Sequence, residues 1–351
     1  MIDAVAAGGA GWRVVWRHEG DDDPAGITVR YGAVAVLPGA RPEIIVTEEW
    51  HNRVLGALKC DHTRTYRLAD GEETRTCMFM FKYPFDHPRV QVARFGEGYA
   101  VVVNTWRGVR GFAVGATAEV PDQFGSVEWY ARDLVIGTHD GRPVLLATWD
   151  VPTDEPDPHV QAYDLATGAP AAPPWRLPGD ASWDGPGGSW RLGRWAGRPV
   201  VAVAEWALLW LYSPVDGDTD DLVTLENDCP RRCTCGPELF AVDDGAGPPL
   251  AVVRQHEGAV WCYDLGTQNP VGPPLTGYPG TATAARLGRL RNRPVVALLT
   301  TAGIALHDLS TRRWICHIEA GAKVHDVAFA PPDTIAAVTA NGPLVIQISR
   351  W

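Results

Sequence analysis

Lysine is almost missing from this chain: Lys59, Lys82 and Lys323 are the only three, against 42 acidic residues and a formal net charge of -11. Such a balance repels phosphate backbones, because nucleic-acid affinity rests largely on basic side chains displacing counterions, so nucleic acid is not an expected partner. Long apolar runs are missing too. No stretch approaches the roughly 18 apolar residues of a membrane span. The opening MIDAVAAGGAGW lacks the basic start and apolar run of a leader. The expectation is a cytoplasmic protein that engages no membrane. Cysteine is scarce, 7 residues scattered through the chain, unlike the dense even frameworks of small secreted domains. A P-loop, a dinucleotide fingerprint, a nucleophile elbow and a metalloprotease helix are all absent, and no cofactor is expected.

Repetition is what the chain does have. RLGRWAGRPVV at 191–201 and RLGRLRNRPVV at 286–296 agree at eight of eleven positions. YDLATGAPAAPPW from Tyr163 and YDLGTQNPVGPPL from Tyr263 form a second pair, echoed by HDLSTRRW from His307. Apolar runs follow Pro42, Tyr99, Pro143, Pro199, Pro249 and Pro294, with a last run near Thr334. Spacings of roughly 40 to 56 residues fit one propeller blade plus loop insertions. Within a unit the segments are short, rich in β-branched and aromatic residues, and punctuated by Gly, Pro, Asp and Asn, which reads as four antiparallel strands. Runs such as VVAVA and VVALL suit strands buried on both faces, and no long segment has helical periodicity.

These marks resemble the WD-repeat family, with YDL at 163–165, YDL at 263–265 and HDL at 307–309 in the place of its Trp-Asp dipeptide. The resemblance covers nearly the whole chain and implies one domain, residues 1–351, folded as an all-β, seven-bladed β-propeller of four-stranded antiparallel blades. The family's Gly-His dipeptide is missing almost everywhere; GYPG at 277–280 is the nearest stand-in. After AKVHDVAFA the chain supplies only two more strands from Thr334, which leaves the last blade one short. WRVVWR at 12–17 fills the gap by pairing near Leu344–Ile348, closing the ring and removing exposed strand edges.

Trp50, Trp106, Trp149 and Trp206 stand where the second strand of four units turns into the third, and His256 takes that place in the fifth. His51, Asp150 and Glu205 are their neighbours. By resemblance this hairpin lies on the top face near the central channel, where aromatic faces beside carboxylates would hold a peptide, a cation or a polycyclic metabolite. The competing expectation is Trp packing against the next blade. The expected function is a non-catalytic scaffold for a protein or peptide partner. The alternative is an enzyme or small-molecule binder in the central funnel, with Glu49, His51, Asp150, Glu205 and His256 as acid–base candidates.

Cys229, Cys233 and Cys235 form CPRRCTC, whose spacing is not the paired C-x-x-C of zinc sites, so structural thiols are expected and no metal. His325 and Asp326 put an ionisable pair into an apolar first strand. The arginine-rich strings at 191–198 and 286–293 read as solvated turns of equivalent hairpins.

Overall fold

The computed structural model describes residues 11–18, 27–52, 59–81, 89–105, 108–125, 130–150, 159–176, 188–205, 207–216, 218–225, 236–243, 247–255 and 258–349. These form β-strands, the first being β1 (Trp12–Arg17). Blade 1 holds β2 (Ile27–Leu37), β3 (Glu43–Asn52), β4 (Lys59–Arg67) and β5 (Glu73–Phe81). Blade 2 holds β6 (Val90–Phe95), β7 (Gly98–Thr105) and β8 (Gly108–Val114). Blade 3 holds β9 (Tyr130–His139), β10 (Arg142–Asp150), β11 (His159–Asp164) and β12 (Trp175–Arg176). Blade 4 holds β13 (Gly188–Trp195), β14 (Arg198–Glu205), β15 (Leu208–Ser213) and β16 (Asp218–Thr224). Blade 5 holds β17 (Glu238–Asp243), β18 (Leu250–Arg254), β19 (Val260–Asp264) and β20 (Asn269–Pro270). Blade 6 holds β21 (Ala282–Leu290), β22 (Arg293–Thr300), β23 (Gly303–Asp308) and β24 (Arg313–Ile318). Blade 7 holds β25 (Val324–Ala330), β26 (Thr334–Thr339) and β27 (Gly342–Ile348).

The first strand of each blade packs against the first strand of the next, and β25 packs back onto β2, so the sheets form a seven-membered ring around an axis. β1 completes blade 7 as its outer strand, antiparallel to β27 from Trp12↔Ile348 to Arg17↔Leu344. In blade 2 the outermost place is taken by residues 121–125, which meet β8 at the bridge Val109↔Phe124 and through the Gly111 N–H, which donates to the Asp122 carbonyl (3.4 Å). No helix among the described residues is long and apolar enough to cross a membrane.

Local chemistry explains the repeats. The Leu of each Y/H-D-L string donates its N–H to the carbonyl of the proline that opens the second strand: Leu165 to Pro143 (3.1 Å), Leu265 to Pro249 (2.9 Å) and Leu309 to Pro294 (3.0 Å). Leu68 does the same to Pro42 (2.9 Å), so YRL at 66–68 belongs to the set. The Asp of each string closes the following turn. Asp164, Asp264 and Asp308 each accept N–H bonds from the residues two and three positions on. The glycine of RLGR keeps two blades close: a Cβ on Gly193 would run into the Val242 carbonyl, and one on Gly288 into the Phe329 ring. The core lies in the seams between blades, each filled by aliphatic side chains from two facing sheets.

Candidate functional site

The inner strands enclose an axial channel that widens at one face into a basin of about 660 Å³. The starts of β2, β21 and β25 and the ends of β3 and β7 line it, so blades 1, 2, 6 and 7 all contribute. Arg30, Lys323 and His325 are exposed on its wall, and Glu48, Glu49 and His62 are buried beside it.

Strand pairing builds the buried part. Glu48 on β3 stands opposite His62 on β4, and Trp50, Arg64 and Tyr66 share that sheet face by the two-residue period of the pleat. Glu48 is 3% exposed. It accepts hydrogen bonds from the Tyr66 hydroxyl (3.1 Å) and Trp50 Nε1 (3.0 Å), and Arg64 Nε lies 3.2 Å from its second oxygen. Burial raises the pKa of Glu48, opposed by Arg64, Trp50 and Tyr66. His62 stacks on Trp50, ring centroids 4.7 Å apart, and the Arg64 guanidinium lies 4.9 Å from the same indole. Burial and then Arg64 lower the pKa of His62, which favours the neutral imidazole.

The same two positions recur around the ring. Glu48, Trp149, Glu205 and Gln255 each stand six residues after the proline of their blade, and each acts on the tyrosine of the third strand. Glu48 accepts from Tyr66, Trp149 packs edge-on against Tyr163, and Gln255 Nε2 donates to Tyr263 (2.8 Å). In blade 4, burial and then the charge of Glu205 raise the pKa of Tyr212. Trp149 is therefore the counterpart of Glu48 and not of Trp50, which stands eight residues after its proline.

Trp149 is 0% exposed, set edge-on to Tyr163 at 6.2 Å in the apolar seam between blades 2 and 3. Its ring offers no surface to a ligand, because its face of β10 points into that seam. Trp50 is half-buried between His62 and Arg64, and Glu205 is exposed at the end of β14. His51 is the next-to-last residue of β3 and Asp150 the last of β10, with side chains outside the described residues. Trp106, Trp206 and His256 lie outside them altogether, as do Cys229, Cys233 and Cys235. Of the residues singled out from sequence, Glu49 and His325 line the basin. Glu48, His62, Arg30 and Lys323 were not singled out as a site. Counting strand parity from Pro42 places Glu48 on the same face as Trp50 and was the available signal.

Deeper along the axis, all seven blades line a second cavity of about 450 Å³. The arginine strings lead into it. Arg191, Arg194, Arg286 and Arg289 lie on the inner strands β13 and β21 and line the channel, a correction to their reading as solvated turns. The turns themselves come later, at Ala196–Gly197 and Arg291–Asn292, where both central residues have positive φ. Acidic residues staple neighbouring blades here. Asp133 meets Arg89 at 3.3 Å and accepts the Leu192 N–H of the next blade (3.4 Å); Asp326 meets Arg286 at 2.8 Å and accepts the Val34 N–H (3.1 Å).

No protein-family description matches the chain, and no curated protein does. Among solved structures, one described as the Dos1 propeller is similar over 93% of this chain and 93% of that one, with 9% identity and a TM-score of 0.54. Identity so low speaks for the fold alone.

Proposed function

We propose that this chain is a WD-repeat-like, non-catalytic scaffold that receives a peptide segment of a protein partner in the basin at the channel mouth. One observation carries the reading: a basin of about 660 Å³, inside the usual range for ligand sites, walled by four blades and backed by an ion cluster held in place. Glu48 and His62 are the groups nearest to acid–base chemistry. Three partners occupy the carboxylate oxygens of Glu48, and His62 is stacked under Trp50, which suits recognition better than proton transfer. The exposed Arg30 and Lys323 favour an acidic segment.

Quantitative affinity capture with wild-type chain and with Arg30→Glu/Lys323→Glu tests this. Partners held by the wild type should be lost on the double variant, with its melting temperature unchanged. An identical set of partners on both would refute the reading. The volume of the basin also suits a small metabolite, and native mass spectrometry of gently purified chain would reveal one as a discrete added mass.

A further inference from the structure

Among the described residues five arginines line the lower cavity, and four of them have a side-chain partner. Arg89 meets Asp133 (3.3 Å), Arg194 meets Asp243 (2.7 Å), Arg286 meets Asp326 (2.8 Å), and Arg289 donates to Asn292 (2.9 Å). Arg191 differs. Its one hydrogen bond among the described residues runs from Nη1 to the carbonyl of its own neighbour, Trp190 (2.9 Å). Arg286, at the same place in the repeat, finds its acid on the next blade. The blade after Arg191 offers Glu238, but Arg254 of β18 already holds that carboxylate.

Arg191 is thus a charge at the wall of the axial channel that lacks, among the described residues, the acidic partner its twin has. Burial lowers its proton affinity; Asp133 and Glu238 raise it, while Arg89 and Arg286 lower it further. Around the cavity as a whole, five arginines stand against three aspartates, Asp133, Asp243 and Asp326, so its wall carries a positive excess that favours an anion although the whole chain carries -11. Guanidinium presents parallel N–H groups that match two oxygens of a phosphate or carboxylate.

We propose that the axial channel binds a compact oxyanion, a phosphate or carboxylate group, with Arg191 as its principal ligand and Arg89 and Arg286 flanking it. The site lies below the upper basin, and Arg89 stands on the wall of both.

The test is isothermal titration of the intact chain with inorganic phosphate and, in a second arm, with malonate, in buffer free of other oxyanions. At least one should bind saturably, and which one identifies the oxyanion class. Arg191→Gln should weaken that binding about tenfold or more, the loss of a charge-assisted pair, while Arg289→Gln stays within about threefold. Should Arg191→Gln fail to fold, Arg191→Lys, which keeps the charge and loses the planar fork, carries the same expectation of weaker binding. No saturable binding of either anion, equal affinity in the Arg191 variant, or an equal loss in Arg289→Gln would overturn the proposal.

Discussion

The seam between blades 7 and 1 and the seam between blades 2 and 3 solve one packing problem in two ways. Both place a tyrosine on the third strand, Tyr66 or Tyr163, against a residue six past the second-strand opening, Glu48 or Trp149. Between blades 2 and 3 the pair is an aromatic plug among Phe124, Val102 and Leu145. Between blades 7 and 1 the inner part of the seam is equally apolar, with Ile44, Val46 and Ala336, but its upper end carries Glu48, His62 and Arg64 next to the basin. The propeller therefore demands a side chain that fills space and meets a tyrosine. It leaves polarity open, and ions are tolerated where the seam reaches the channel mouth and every oxygen finds a donor.

The largest effect should come from removing residues 1–17, which unpairs β27 and strips Trp16, 2% exposed and bonded to the Leu68 carbonyl (2.8 Å), from the seam between blades 7 and 1. Loss of a cooperative thermal transition is expected; melting at the wild-type temperature would contradict the role given to β1. Trp149→Ala should cost about 3–5 kcal/mol in urea unfolding, the usual range for a large cavity in an apolar seam. A loss below about 1 kcal/mol would mean the seam collapses around the gap, more than cores generally do.

His307 occupies the tyrosine place in blade 6, and burial lowers its pKa to about 4. The folded state then binds fewer protons than the unfolded chain between pH 4 and 6.5, so stability rises with pH across that window and is lost as pH falls. The size is roughly 3 kcal/mol at most. His307→Tyr, which restores the residue of the other blades, should flatten that slope in unfolding measured from pH 4 to 7. An unchanged slope would place the acid sensitivity elsewhere.

The smallest effect has the opposite sign. Glu48 has its pKa raised in the fold, so the native state holds more protons above pH 4.5 and stability falls as pH rises from there through the folded value. Glu48→Gln should remove that decline and keep the Tyr66 and Trp50 contacts. A variant that declines with pH as the wild type does would show that Glu48 is not the titrating group.

Reading the seven units needed only the strings themselves, since Pro42, Pro143, Pro199, Pro249 and Pro294 and the Y/H-D-L marks repeat at blade spacing. Their hydrogen bonds are local to one sheet, Pro carbonyl to Leu N–H, and so leave a trace in each unit. The site was harder. The tryptophans look alike in sequence, yet an offset of six or eight from the proline keeps a strand face while changing its height, and seven reverses the face. Trp149 and Trp50 thus share a face but sit at different levels, one in an apolar seam and the other beside a basin.

The order of strands, the blade count and the closing role of residues 12–17 were determined by the sequence alone, because period-two burial and repeated turns are properties of short segments. Which charges meet was decided only by the ring. Arg286 reaches Asp326, and Arg191 pairs with no such acid among the described residues, although the two lie in nearly identical strings. The difference arises on the following blade, where Glu238 is committed to Arg254 and Asp326 is not, and a strand carries no record of which side chains its neighbour has left free.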